Sequence, residues 1–291
     1  MAVFGFWNVD ASRGLQTDDR EIPRLAADLV RERSLDILFL IECGIPYAVL
    51  MSAFGTDPMY FPIGCGERFK VIAKFDPSLM ERLRIPVPSD RYDMWHLKLP
   101  LQEEVIVAAV HGLDKRNNSE SKQSLFLQQV IAALTYFESV LGHNRSIVLG
   151  DFNANPFESP IASALGMNAV ISRTLAGGEH REIFDQAYPY FYNPMWNLYG
   201  DGRGSSAPAT YYYRGSDPHE LFWHMLDQVV VRPSLMTKLD LKSLNIVTSI
   251  QGNSLTSAVG IPNRTKFSDH LPVVFEIDLS THNNKELKYA E

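Results

Sequence analysis

Hydrophobic residues in this chain come in short runs that stop on polar or charged residues, and the period of each run predicts an element. Phe4 to Val9 is aromatic and β-branched and predicts a strand. Asp36 to Ile41 (D-I-L-F-L-I) is continuously apolar, which predicts a strand buried on both faces and ending at Glu42. Arg68 to Phe75, Tyr92 to Leu99 and Glu104 to Val110 predict further strands, the last closing on His111. Ile147 to Leu149, Leu226 to Val231, Leu244 to Ile250 and Val273 to Ile277 complete the set. Two segments carry helical spacing instead. Asp19 to Arg33 places Ile22, Leu25, Leu29 and Val30 on one face; further on, Leu127, Val130, Leu134, Phe137 and Leu141 recur at three- and four-residue steps. A short helix is expected after Pro156. Gly112 to Gln123 reads as a polar loop, and Gly200 to Glu220 as a long surface loop with a candidate strand at Thr210 to Tyr213. Residues 280–291 read as a polar, frayed tail, which leaves 1–279 as one domain.

The residues that stop these runs share a chemistry. Glu42, His111 and Asp151 each stand at or just past a strand end. Asn8 and Asp10 do the same, and Ser268-Asp269-His270 precedes the final strand. A core expels polar groups from strand interiors, so some edge placement is expected by chance. That nearly every strand should end on a metal- or proton-competent residue is less expected, and it points to a site at one rim of a sandwich. The stretch Ser146 to Pro156, S-I-V-L-G-D-F-N-A-N-P, shows both readings at once. Asp, Asn, Gly and Pro are turn residues. A carboxylate (Asp151) and an amide (Asn153) two residues apart also suit a hydrated cation or an attacking water. On this stretch alone the turn is slightly ahead.

At 291 residues, 45% hydrophobic and 21% charged, the composition is that of a globular chain. The net charge of −7 argues against non-specific adhesion to nucleic acid while leaving room for a local basic groove. No apolar run approaches the length that crosses a bilayer, so no membrane association is expected. The start, Met1-Ala2-Val3-Phe4, lacks the basic stretch and long apolar core of a secretion signal. Cys43 and Cys65 read as reduced thiols, hence a cytoplasmic chain. No G-x-S-x-G elbow and no H-E-x-x-H pair occurs, which sets aside serine-hydrolase and zinc-protease chemistry.

Taken in order, these motifs resemble the endonuclease/exonuclease/phosphatase superfamily, the divalent-metal phosphoesterases that include deoxyribonuclease I and the exonuclease III-type apurinic endonucleases. The resemblance runs from about Phe4 to Ile277. Phe6-Trp7-Asn8-Val9-Asp10 looks like the family's opening strand, and Ile41-Glu42 like its strand-end metal glutamate. Gly150-Asp151-Phe152-Asn153 is similar to its G-D-F-N signature, and Ser268-Asp269-His270-Leu271-Pro272-Val273 to its closing S-D-H-x-P-V signature. Leu226-Asp227-Gln228-Val229 resembles the segment whose aspartate orients the last histidine. His111 sits where the deoxyribonuclease I-like branch places a second histidine, and Gly66-Glu67-Arg68-Phe69 resembles the segment supporting it. Exonuclease III-type enzymes usually read Q-E at Ile41-Glu42, so the chain departs from them there.

The resemblance implies an α/β fold, a four-layer α/β/β/α sandwich of two mixed, mostly antiparallel sheets flanked by helices. It implies Mg²⁺ or Mn²⁺ held by Glu42, Asp10, Asn8 and Asp269, in keeping with a set of hard oxygen donors. Asp151 and Asn153 would align the attacking water, His270 oriented by Asp227 would meet the phosphate, and His111 supported by Glu67 would protonate the leaving oxygen. The expected reaction is hydrolysis of a nucleic-acid phosphodiester, with DNA the leading substrate. Arg203, Arg214, Lys115 and Arg116 are candidates for binding it. Most aromatics of Tyr188 to Tyr199 and Tyr211 to Tyr213 are expected in the core, with a minority lining the groove. A small or lipid-borne phosphate is the alternative substrate, favoured by net acidity. A catalytically silent binding module is the alternative from another class, disfavoured by the intact acidic and histidine set. Nothing in the sequence indicates a protein partner.

Overall fold

The computed structural model describes residues 1–11, 21–55, 60–201 and 207–281. Two large sheets carry the fold. The first has six strands: β1 (Ala2–Ala11), β2 (Ile37–Cys43), β3 (Phe61–Ile63), β4 (Phe69–Ala73), β12 (Leu239–Ile246) and β13 (Val273–Ile277), in the spatial order β12-β13-β1-β2-β4-β3. The second has seven: β5 (Met80–Arg82), β6 (Tyr92–Leu97), β7 (Val105–His111), β8 (Ser146–Asp151), β9 (Ala169–Val170), β10 (Phe191–Tyr192) and β11 (Asp227–Val231), in the order β5-β6-β7-β8-β11-β10-β9. Only β1–β2, β7–β8 and β9–β10 pair in parallel; every other neighbour in the two sheets is antiparallel.

Strand alternation divides the core cleanly. Along β7, Val105, Val107 and Ala109 join the apolar mass between the sheets, while Ile106, Ala108 and Val110 face the opposite way. Ile147 and Leu149 against Val148, and Val229 and Val231 against Val230, follow the same rule. The outward set meets helix α3 (Glu120–Leu141) through Phe126, Leu127, Val130, Leu134 and Phe137. Residues of α1 (Ile22–Glu32) and α2 (Tyr47–Phe54) pack into the core of the first sheet. The expected architecture, two mixed sheets flanked by helices, is what forms.

Several local expectations need correction. The Gly112–Gln123 loop is shorter than expected, because α3 starts at Glu120, capped by the Ser119 hydroxyl, and Gln123 is already buried in it. The Leu244–Ile250 strand is in fact β12 running to Ile246, followed by a separate hairpin strand at Ser249–Ile250. At 22 residues, α3 is long and apolar enough by length and composition to cross a bilayer, contrary to the expectation that no segment would be. Here its apolar stripe is covered by the second sheet. The tail expectation falls largely on 282–291, outside the described residues.

Candidate active site

Three polar side chains share one cross-strand row of the second sheet. His111 on β7 pairs in register with Asp151 on β8, and Asp151 pairs with Asp227 on β11. Each has the strand parity of the residues that fill the gap between the sheets, so all three face the first sheet. There β1 and β2 contribute Asn8, in register with Ile41, and Glu42. Alternation would point Glu42 away from Ile41's side. A left-handed backbone at Glu42 (φ 52°) turns it back, and Asp10 (φ 46°) and Asn153 (φ 52°) share that conformation. Such backbone costs about 1–3 kcal/mol per residue for non-glycines and persists where surroundings impose it. The β1–β2 register also shifts between Asn8 and Ala11, a bulge that re-aims side chains.

The Asn8 amide joins the two sheets. Its Nδ2 donates to Asp151 Oδ2 at 2.9 Å and to Glu42 Oε2 at 3.4 Å, while its Oδ1 accepts from the Asp10 backbone N–H at 3.0 Å. In this orientation the Asn8 amide acts as a donor to both carboxylates and its oxygen is turned to Asp10. Asn153 likewise braces Asp151. Its backbone N–H reaches Asp151 Oδ1 at 2.8 Å, and its Nδ2 lies 3.2 Å from Asp151 Oδ2 and 3.3 Å from the Gly112 carbonyl. The strand ends at Asp151, so Asn153 stands in the turn rather than next along the same strand face. The turn is realised at Asn153, while Asp151 at the strand end faces Asn8 and His270.

His270 Nδ1 lies 2.7 Å from Asp227 Oδ2, and its Nε2 lies 3.9 Å from Asp151 Oδ2 and 3.9 Å from Asp269 Oδ1. Burial opposes its charge, but Asp227 and Asp151 outweigh that and push its pKa up to about 10. Burial, with Asp227 and Glu42 nearby, raises Asp151 to about 7. Glu42 is raised as well, chiefly by burial. His111 goes the other way: burial first, then Arg91 and Arg68, lower it to about 3. Its Nε2 faces Glu42 Oε1 at 3.5 Å and Asp151 Oδ2 at 4.0 Å. Glu67, expected to support it, is exposed, and among the described residues the ion-pair partners of His111 are Glu42 and Asp151. The carboxylate that faces this imidazole is Glu42. Burial thus favours the neutral imidazole at His111, while the neighbouring carboxylates favour the protonated one at His270.

Residues that the motifs framed but did not assign hold this arrangement. The Ser268 hydroxyl donates to the Asn8 carbonyl at 2.7 Å and accepts from His270 N–H at 3.0 Å, which ties the last loop to β1. Trp7 Nε1 donates to the His270 carbonyl at 3.0 Å, and the Tyr211 ring lies 4.7 Å from the His270 ring. Arg68, one residue past the expected Glu67, approaches Glu42 Oε1 at 3.8 Å and is bound by Asp90 at 2.6 Å. Their signal was adjacency to the motifs.

The donor chemistry suits a hard divalent cation, although Glu42, Asp10 and Asp269 do not bring three ligand atoms within 4.8 Å of one another. Glu42 and Asp151 are linked through one amide hydrogen-bond donor, Asp10 is close enough to raise Glu42, and Asp269 Oδ1 is buried with no hydrogen-bond partner among the described residues. Carboxylate oxygens short of positive charge are what Mg²⁺-type sites require. Beside Asp269 opens a cavity of about 530 Å³ lined by Tyr211, Tyr212, Tyr213, Arg214, Ile261 and Arg264. Arg116 lies over the Tyr213 ring at 5.5 Å, and Lys115 is paired with Glu158 at 2.6 Å. Tyr190, Phe191 and Tyr192 are buried as expected, so the groove aromatics come from Tyr211 to Tyr213. Arg203 lies outside the described residues.

No family model matches the chain, and no curated protein matches it in sequence. Solved structures do. The chain is similar to an endonuclease/exonuclease/phosphatase family protein from Bacteroides thetaiotaomicron, at 14% identity over 94% of this chain and 96% of that one, with a TM-score of 0.57. It is similar to TDP2 of D. rerio in complex with single-strand DNA product, at 13% identity over 94% and 97%, with a TM-score of 0.55. A third is the 3′ phosphatase NExo from Neisseria bound to a product DNA hairpin, at 16% identity over 96% and 100%, with a TM-score of 0.53. At such identities the likeness is one of fold, and it covers nearly the full length of each chain. The chain has the fold of the endonuclease/exonuclease/phosphatase proteins, the group its motifs resemble.

Proposed function

We propose that this protein is a divalent-metal-dependent phosphoesterase that hydrolyses a phosphodiester of nucleic acid. The observation that carries the proposal is the convergence of Asn8, Glu42, His111, Asp151, Asp227 and His270, from both sheets, on one end of the gap between them. Glu42, with Asp10 and Asp269, would hold Mg²⁺ or Mn²⁺, which when bound offsets phosphate charge and favours ionisation of water. Asp151, raised to about 7, is poised to take the proton of the attacking water near neutrality. His270, kept protonated by Asp227, would face a phosphoryl oxygen and return a proton to the leaving alkoxide. His111, favoured neutral by burial, would stand between Glu42 and Asp151. Aromatic rings and guanidinium groups around the cavity beside Asp269 suit bases and phosphates of a strand. The DNA products named for two of the fold neighbours support the same substrate class.

The net charge of −7 favours the second reading, a small or lipid-borne phosphoester. One experiment separates them. Purified protein with Mg²⁺ or Mn²⁺ is expected to nick plasmid DNA, and EDTA, Glu42→Ala or His270→Ala to abolish nicking. Turnover of a small phosphoester without cleavage of DNA or RNA selects the second reading. Hydrolysis that persists in both variants refutes the site.

A further inference from the structure

At the end of the second sheet remote from Asp151, His96, Glu104 and His143 each bring one ligand-capable atom within 4.8 Å of the others. The geometry points to a second metal site at these three side chains, one for a zinc-class transition cation rather than the hard cation of the hydrolytic centre. Glu104 immediately precedes β7 and His111 ends it. Seven residues of strand at about 3.3 Å each separate the two sites by roughly 23 Å.

The β6–β7 hairpin and the end of α3 build the cluster. His96 lies on β6 with the parity of Tyr92 and Met94, on the sheet face that α3 covers. Its in-register partner on β7 is Ile106, so Glu104 lies two residues back along β7's line on the same face. His143 directly follows Gly142, whose left-handed conformation (φ 71°) ends α3. A cation here would tie the α3 terminus to the edges of β6 and β7.

The donor chemistry selects the metal class. Two imidazoles and a carboxylate form a zinc pattern, whereas the carboxylates around Glu42 suit Mg²⁺. His96 Nε2 and Glu104 Oε2 stand 3.0 Å apart and share a proton. Two ligands on a tetrahedral zinc are about 3.3 Å apart, so a cation can replace that proton with little movement. His143 Nε2 is buried and has no hydrogen-bond partner among the described residues. Ligation at Nε2 moves the imidazole proton to Nδ1 and gives up the long 3.3 Å bond from Arg145 N–H. The neighbouring cations are already engaged: Lys98 with Glu81 at 3.2 Å, and Arg145 with the Glu104 carbonyl at 2.8 Å. Glu104 is half exposed, which gives an entry path and room for water as the fourth ligand.

The test uses the full chain carrying Glu42→Ala, so that the hydrolytic centre does not contribute. Titration with Co²⁺, followed by the visible absorption of tetrahedral cobalt, and calorimetry with Zn²⁺ should each find one equivalent bound. His143→Gln in that background should weaken binding by about a hundredfold or more and remove the tetrahedral bands. His143→Cys should retain Zn²⁺. In the otherwise wild-type chain, His143→Gln should leave the circular dichroism and phosphoester hydrolysis unchanged. Absence of binding, or equal binding in His143→Gln, overturns the proposal. Loss of hydrolysis by the wild-type chain would instead strike the proposed function and leave this site standing.

Discussion

Replacing Asp227 with Asn should flatten the pH dependence of folding stability between pH 6.5 and about 10. His270 has a folded pKa of about 10 against an ordinary value of 6.5, because Asp227 at 2.7 Å and Asp151 outweigh the cost of burying its charge. A raised folded pKa means that the native state keeps a proton the unfolded chain has released. The stabilisation is fully present below pH 6.5 and is lost as pH rises through about 10, with a limiting slope of about 1.4 kcal/mol per pH unit. Below pH 6.5, removing the partner of a buried charge costs about 3–5 kcal/mol, and the Asn amide, which still accepts an N–H bond, places this variant near the lower end. Above about pH 10 only a neutral hydrogen bond is at stake, about 0.5–1.5 kcal/mol. The gap between wild type and variant should therefore close by about 2 kcal/mol across the window. Urea unfolding of both proteins in EDTA at stepped pH measures it. Asp151, also raised and in part by Asp227, makes stability fall between pH 3.8 and about 7, so the two curves are compared above pH 7. Two stability curves that stay parallel up to pH 10 would refute the charged His270–Asp227 pair.

Gly150→Ala should destabilise the fold by about 3 kcal/mol or more, since its backbone (φ 132°) is one that side chains rarely adopt and a Cβ would stand 2.1 Å from the Val110 carbonyl. A wild-type urea midpoint would show that β7 and β8 can separate to admit it. Asn8→Ala leaves Glu42 and Asp151 without their shared donor, at a cost of about 1–3 kcal/mol, and should lower kcat about tenfold or more while raising the Mg²⁺ needed for half-maximal rate. Unchanged kcat and Mg²⁺ dependence would show that the bridge is not used.

The main strands and α3 were legible because their apolar periods are long and their breaks abrupt. Elements without a period were not. Helix α2, Y-A-V-L-M-S-A-F, is apolar almost throughout and shows no stripe, and β3, β5, β9 and β10 are edge or near-edge strands of two or three residues. Within the site, Glu67 was chosen by motif neighbourhood and proved exposed, while Arg68 beside it turns toward Glu42. His96 and His143 carried no signal at all, because 46 positions of chain separate two residues that only the β6–α3 packing brings together.

By itself the sequence singled out the polar residues that collect at strand ends, marked by the order of G-D-F-N and S-D-H-L-P-V. Tertiary structure alone decided how they face one another. Pairing of β7, β8 and β11 puts His111, Asp151 and Asp227 in one row, and left-handed backbone at Glu42 turns its carboxylate into the same space. Burial then raises Asp151 and lowers His111, while two neighbouring carboxylates raise His270. A side chain's type is written in the sequence, but its protonation state depends on desolvation and on charges a few ångströms away, and those are set only when distant segments pack.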